Sequence, residues 1–286
     1  MLHAHQSGGL PVDLLLLIPA AAAAAAYWAG VLSPRSGVWP VYRPVAFTAG
    51  TAAVLVTAAG PLPVQAHGNF TLLAVSHVLA GMLGPLLLVI SRPVTLALRT
   101  MDPVPTRRLV RVLRSIPVRF LAHPVTAAVL AMGGMVLMLR TPLFDAMRTE
   151  LPVHWLVTFH LAAAGYLWTA ALIGRDPNPH RASLRLRAAI LVLTMAAHNV
   201  LAKSLYATPP AGITAEQGEA GAMVLYYAGG AVEIAVIFLM CLQWYRKPPG
   251  RSARRRGSTT QRARSANRRN GPFNAKTAAA TESAPG

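Results

Sequence analysis

Seven separate stretches of this chain are long and apolar enough to cross a lipid bilayer as helices, and that feature excludes most folds. A hydrocarbon core of roughly 30 Å needs about 20 apolar residues of helix. The stretches are Val12–Leu32, Pro44–Leu62, Phe70–Ile90, Leu121–Leu139, Val153–Ile173, Ala188–Ala207 and Ala220–Tyr245. Backbone polar groups must be satisfied internally in lipid, which these runs achieve as helices. The predicted fold is therefore all-α, a polytopic bundle of seven transmembrane helices. Turn formers punctuate the gaps at Ser33-Pro34, Gly60-Pro61, Asp176-Pro177-Asn178-Pro179 and Pro209-Pro210.

Charge sets the expected orientation. Only 13% of the 286 residues are charged, yet the formal net charge is +18. In a soluble domain such a charge would point to nucleic acid. Here 24 of the 27 basic residues fall in alternate gaps and in the tail after the last stretch. The opposite side keeps Arg140, Arg148 and Lys203, with Asp13, Asp145, Glu150, Glu216 and Glu219. Short loops rich in Lys and Arg are cytoplasmic. The expected topology is thus N-terminus out and C-terminus in, with the basic charge meeting anionic lipid headgroups and no nucleic acid.

Three regions follow: an extracytoplasmic N-terminus, residues 1–11; a membrane domain, residues 12–245; and a basic cytoplasmic tail, residues 246–286, whose polar, aperiodic composition predicts disorder. The first eleven residues hold no Lys or Arg, so the first stretch is expected to be a span and not a cleaved signal peptide. Between the third and fourth stretches, Arg107, Arg108, Arg111 and Arg114 interleave with Leu109, Val110, Val112 and Leu113. That pattern predicts one or two interfacial helices, or simply a positively charged topogenic loop.

Ionisable side chains are costly inside a membrane and mark candidate sites. His77, His160 and His198 lie on three different stretches and share a depth zone near the outer face. Glu233 lies near the middle of the seventh stretch, where depth argues for a histidine partner or a protonated acid and against Lys203. Imidazole suits copper, zinc and iron, and thioether sulfur favours copper(I), which makes His77, His160 and His198 a candidate metal set with Met135, Met138 and Glu233 as accessories. Each histidine has a second reading as an interhelical hydrogen-bonding group, and each methionine as a flexible filler. His154 reads as an interface residue, His123 as a helix cap or anchor beside Pro124, and His3, His5 and His67 as residues outside the spans. The paired small residues Gly133-Gly134 and Gly229-Gly230 read as packing positions. A single cysteine, Cys241, excludes an internal disulfide and any Cys-x-x-Cys site.

The run His77-Val-Leu-Ala-Gly-Met-Leu-Gly-Pro85, followed by Arg92-Pro93-Val-Thr-Leu-Ala-Leu-Arg99, resembles the third span of the CtaG-type cytochrome c oxidase assembly factors. Ala122-His123-Pro124, Gly165-x-Leu-Trp168, Gly174-Arg-Asp176-Pro177-x-Pro179 and Glu216-Gln217 with Gly221 and Met223 resemble further segments of that family in the same order. Leu73 stands one turn before His77 where many members carry another histidine, and Glu216 stands in place of their aspartate. The resemblance implies a multi-pass protein of the bacterial plasma membrane that assists assembly of cytochrome c oxidase. It also implies copper handling on the outer side, with oxidase subunits and other copper-handling proteins as partners and no catalytic residues.

Two alternatives use the same histidines: a copper transporter, with Glu233 continuing the path inward, and a b-type cytochrome with haem iron held by two of them. A retinal protein is excluded, because the seventh stretch carries no lysine before Lys247. Hydrolytic chemistry finds no Ser/His or carboxylate pair at useful spacing.

Overall fold

A computed structural model describes residues 13–59, 61–66, 68–177 and 180–246, with side chains from residue 17 onward. His3, His5, His67 and the basic tail after Arg246 lie outside the described residues. Contacts divide the chain into two units, residues 1–240 and residues 241–286, and the helices below belong to the first apart from the end of the last one.

Every regular element among the described residues is helical. They are α1 (Asp13–Leu32), α2 (Tyr42–Ala58), α3 (Pro61–Ala66), α4 (Phe70–His77), α5 (Gly84–Ser91), α6 (Pro93–Thr100), α7 (Pro103–Leu113), α8 (Ile116–Leu121), α9 (Pro124–Arg140), α10 (Leu143–Thr149), α11 (Leu151–Ile173), α12 (Leu184–Ala207) and α13 (Ala215–Tyr245). All seven apolar stretches are thus centred on helices. By length and apolarity, four helical segments suffice to cross a membrane: Phe70–Thr100, Leu151–Ile173, Leu184–Ala207 and Ala215–Tyr245. A fifth arises if α9 and α10, bent by 78° from one another, count as one broken span. α2, with 17 residues, and the side-chain-described part of α1, Leu17–Leu32, are apolar but shorter. Large apolar side chains face outward along the bundle, among them Leu156, Phe159, Val192, Val200, Ile234 and Phe238. Such a surface matches lipid and not water.

The segment from Arg92 to Arg119 forms three short helices, α6 to α8, where one or two were expected. Each begins with proline at its first turn, which presets φ and sacrifices no helical hydrogen bond there. Neither α7 nor α8 contains a buried residue. Asp176, in the α11–α12 loop, ties α6 to the bundle: its Oδ1 accepts from the Thr95 amide at 2.8 Å and from the Thr95 hydroxyl.

One irregularity positions the site. Between α4 and α5, residues Val78–Leu83 form a π-helical turn, closed by the Gly84 amide donating to the Leu79 carbonyl. Pro85 follows; it has no N–H to donate to Gly81, so the Gly81 carbonyl is left free of the ordinary helical bond. α11 packs its backbone against that carbonyl at Gly165, where a Cβ would collide with the Gly81 oxygen. Only glycine permits this approach. On the opposite side, a Cβ on Gly50 of α2 would lie 2.9 Å from the Gly84 carbonyl, so this segment is clasped between two helices.

Candidate functional site

His77 ends α4 immediately before the π turn, a kind of bulge that recurs at functional sites. Its ring faces that of His198 on α12, with centroids 6.2 Å apart and planes 21° from parallel. His198 in turn meets Glu233 of α13, Nδ1 to Oε1 at 3.2 Å. His77, His198 and Glu233 are 7%, 1% and 3% exposed. A small cavity of about 30 Å³ lies among them, enough for one water or one ion. Met82 of the π turn, Met132 of α9 and Trp168 of α11 contribute to its wall. The Trp168 indole donates to the Thr194 hydroxyl at 3.2 Å, which fixes that side of the chamber.

The polar atoms here are under-satisfied. His77 Nδ1, both ring nitrogens of His198 and Glu233 Oε2 are buried without a hydrogen-bond partner among the described residues. The His198–Glu233 contact is close without meeting the geometry of a hydrogen bond. Burying such groups costs about 1–3 kcal/mol each unless something compensates, which marks the place as more than packing. Among the described residues, no three His, Cys, Asp or Glu side chains cluster closely enough to hold a metal by themselves. The thioethers of Met82 and Met132 are the further donors that a soft ion would use.

His160 does not line this chamber. Its Nε2 lies 3.1 Å from the Leu130 carbonyl of α9, and its ring fills the gap that Gly134 leaves, where a Cβ would strike it. The reason is azimuth: α11 turns Leu161, Ala164, Gly165 and Trp168 to the cavity, and His160 sits about 100° from Leu161 on a helix of 3.6 residues per turn. Met135 is fully buried in the apolar core and lines no described cavity. Sequence depth alone had no way to select Met82 and Met132 in its place, because it fixes height but not rotation.

A second cavity, of about 20 Å³, adjoins the first on the side of α3 and α10. His77 and Leu161 belong to the linings of both. Met138, Met147 and His154 face it together with Ser76 and Thr158. His154, at the outer end of the fifth stretch, is only 5% exposed. α10 is bent by 78° from α9 across Thr141-Pro142, which brings Met147 to the same cavity as His154 near the start of α11. His123 occupies the N-cap position of α9, but its side chain makes no capping hydrogen bond. Lys203 stands apart from both cavities, its ammonium 5.6 Å from the Tyr226 ring centre.

An uncharacterized protein of Mycobacterium leprae is 33% identical over 184 residues, covering 60% of this chain and 28% of its own length. An uncharacterized protein of Mycobacterium bovis is 34% identical over 177 residues, covering 58% of this chain and 26% of its own length. The chain therefore spans little more than a quarter of the curated relatives it matches. No solved structure matches it. The family model of the cytochrome c oxidase caa3 assembly factors matches residues 25–247, which takes in every helix of the candidate site, and the chain belongs to that family.

Proposed function

We propose that this protein is a non-enzymatic assembly factor of a bacterial plasma membrane that handles copper(I) for cytochrome c oxidase. The observation that carries the reading is the set of buried, under-satisfied donors from different helices, His77, His198 and Glu233, around a chamber of one-ion size with thioethers in its wall. Thioether donors select copper(I) over harder cations. The Glu233 carboxylate supplies the negative charge that draws a cation out of water.

The proposed topology has seven spans, with α1 and α2 crossing as shorter helices and the arginine-rich loops in the cytoplasm. A span of 17 residues is at the short end of what a bilayer accepts. Alkaline phosphatase fused before α1 and after α13 tests this: activity only in the first fusion is expected, and activity in the second overturns it. Oxidase subunits would receive the ion at the outer face, with lipid surrounding the bundle.

An assembly role is favoured over transport because the α13 face beyond Glu233 continues as Val236 and Met240, both buried and apolar. A haem between His77 and His198 does not fit, since about 30 Å³ cannot admit a macrocycle. The decisive experiment measures copper(I) affinity by chelator competition and oxidase activity in host membranes. His198→Ala and Glu233→Gln are each expected to weaken copper(I) binding at least about tenfold and to lower oxidase activity. Normal binding and normal oxidase in both variants would end the proposal.

A further inference from the structure

We propose that the second cavity is a separate copper(I) site, built from Met138, Met147 and His154, and that His77 is the ligand shared between it and the inner chamber. The inference rests on the copper reading above and adds a second station and a direction of travel to it.

Four donor-bearing side chains converge on this cavity from four helices: His77 of α4, Met138 of α9, Met147 of α10 and His154 of α11. Met138 and Met147 are each 2% exposed. Eight residues lie between them in sequence, and they meet where the helix direction bends by 78° across Thr141-Pro142. The Thr141 hydroxyl stabilises that bend, donating to the Leu137 carbonyl at 2.6 Å and accepting from the Leu143 amide at 3.3 Å. Methionine as mere filler accounts for one sulfur in an irregular gap. It does not account for two sulfurs and two imidazoles around one enclosed space of ion size, next to a second space that shares one of those imidazoles.

The two chambers differ in chemistry. The lining of the first-described chamber includes a carboxylate, Glu233; the second has two thioethers, two imidazoles and the hydroxyls of Thr57, Ser76 and Thr158, with no acid. Both linings hold two methionines and two histidines, so the second is set apart by having no carboxylate; a neutral site of thioethers and imidazoles selects a soft monovalent ion, which fits capture and discrimination. The site with the carboxylate then holds the same ion more strongly by charge. Lying toward α3 and α10, the acid-free chamber is the one an ion from the proposed outer side reaches first. Transfer is ligand exchange at constant oxidation state: the ion gives up His154 and the Met138 and Met147 sulfurs while keeping His77, then gains His198. No electron moves, and no bond other than metal–ligand bonds forms or breaks.

The test uses the full-length protein in detergent, titrated with copper(I) under chelator competition, with silver(I) as a redox-inert second probe. Wild type is expected to bind two ions per chain. Met138→Leu/Met147→Leu, a nearly volume-conserving pair, is expected to bind one, as is His154→Gln; His198→Ala/Glu233→Gln is expected to keep the other one. His77→Ala is expected to slow loading of the inner chamber from the outer in stopped-flow. Circular dichroism and size-exclusion chromatography report whether each variant is folded, and the methionine pair carries the test if the histidine variant is not. A wild-type stoichiometry of one, lost in His198→Ala/Glu233→Gln and untouched by the methionine pair, overturns the second site and leaves the inner one standing. Wild-type protein that binds neither ion overturns both.

Discussion

His198 Nδ1 and Glu233 Oε1 lie 3.2 Å apart between α12 and α13, and neither residue exposes more than 3% of its surface. Each of the two side chains is the other's nearest polar partner, which is how α12 and α13 tolerate them away from water. Removing one partner leaves the other unpaired, a change that typically costs about 3–5 kcal/mol when a buried pair is broken. His198→Leu and Glu233→Leu are each expected to lower thermal stability in detergent markedly. The double variant is expected to recover part of the loss, with a coupling of about 1–3 kcal/mol in a double-mutant cycle. Additive effects would show that the contact carries no energy.

His160 separates a structural histidine from a ligand. It is held by the Leu130 carbonyl and stands outside both cavities. His160→Ala is expected to destabilise the protein by about 1 kcal/mol and to leave copper(I) stoichiometry as in wild type. A lost ion in that variant would return His160 to the ligand set.

The paired glycines make a sharper comparison. A Cβ on Gly229 would lie 2.6 Å from His198 Cε1 and 3.3 Å from the Met82 sulfur, whereas one on Gly230 meets nothing within 4 Å. Gly229→Ala is therefore expected to displace the His198 ring, with a cost of about 1–3 kcal/mol from overpacking and weaker copper(I) binding. Gly230→Ala is expected to be neutral or slightly stabilising, because alanine is the better helix former. Thermal unfolding and chelator competition on the two variants check this directly.

Asp176 accepts two hydrogen bonds at the first turn of α6. Asp176→Ala leaves the Thr95 amide without its cap, for an expected loss of about 1–2 kcal/mol. Asp176→Asn should retain most of that stability. Limited proteolysis around Arg99 to Arg119 reads the same event as faster cleavage in the alanine variant.

Composition and spacing make the all-α fold legible, because long apolar runs have few other ways to satisfy their backbone. They also flag His77, His198 and Glu233, since ionisable groups at such depth stand out against an apolar background. What they leave open is rotation about each helix axis. His160 and Leu161 are neighbours in sequence, yet one bonds α9 and the other walls the cavities, and Met132 displaces Met135 from the site for the same reason. The π turn after His77 shifts the face of everything that follows, so Met82 cannot be placed by counting in steps of 3.6. His154 could not be assigned to a cavity from sequence because its surroundings depend on the bend between α9 and α10, a tertiary event that local pattern does not encode.

The contact of Gly165 with the bared Gly81 carbonyl restricts how this protein can work. With no side chain between them, axial sliding of α11 along the α4–α5 segment would drive neighbouring Cβ atoms into the carbonyl, as a key jams in a misaligned lock. The close approach thus favours fixed walls for both chambers, and in the proposed transfer the passage would fall to torsions of individual side chains: the swing of the His77 imidazole and the flexing of methionine arms. Such a device would be a turnstile with a rigid frame, its speed set by rotamer exchange and not by rocking of the bundle.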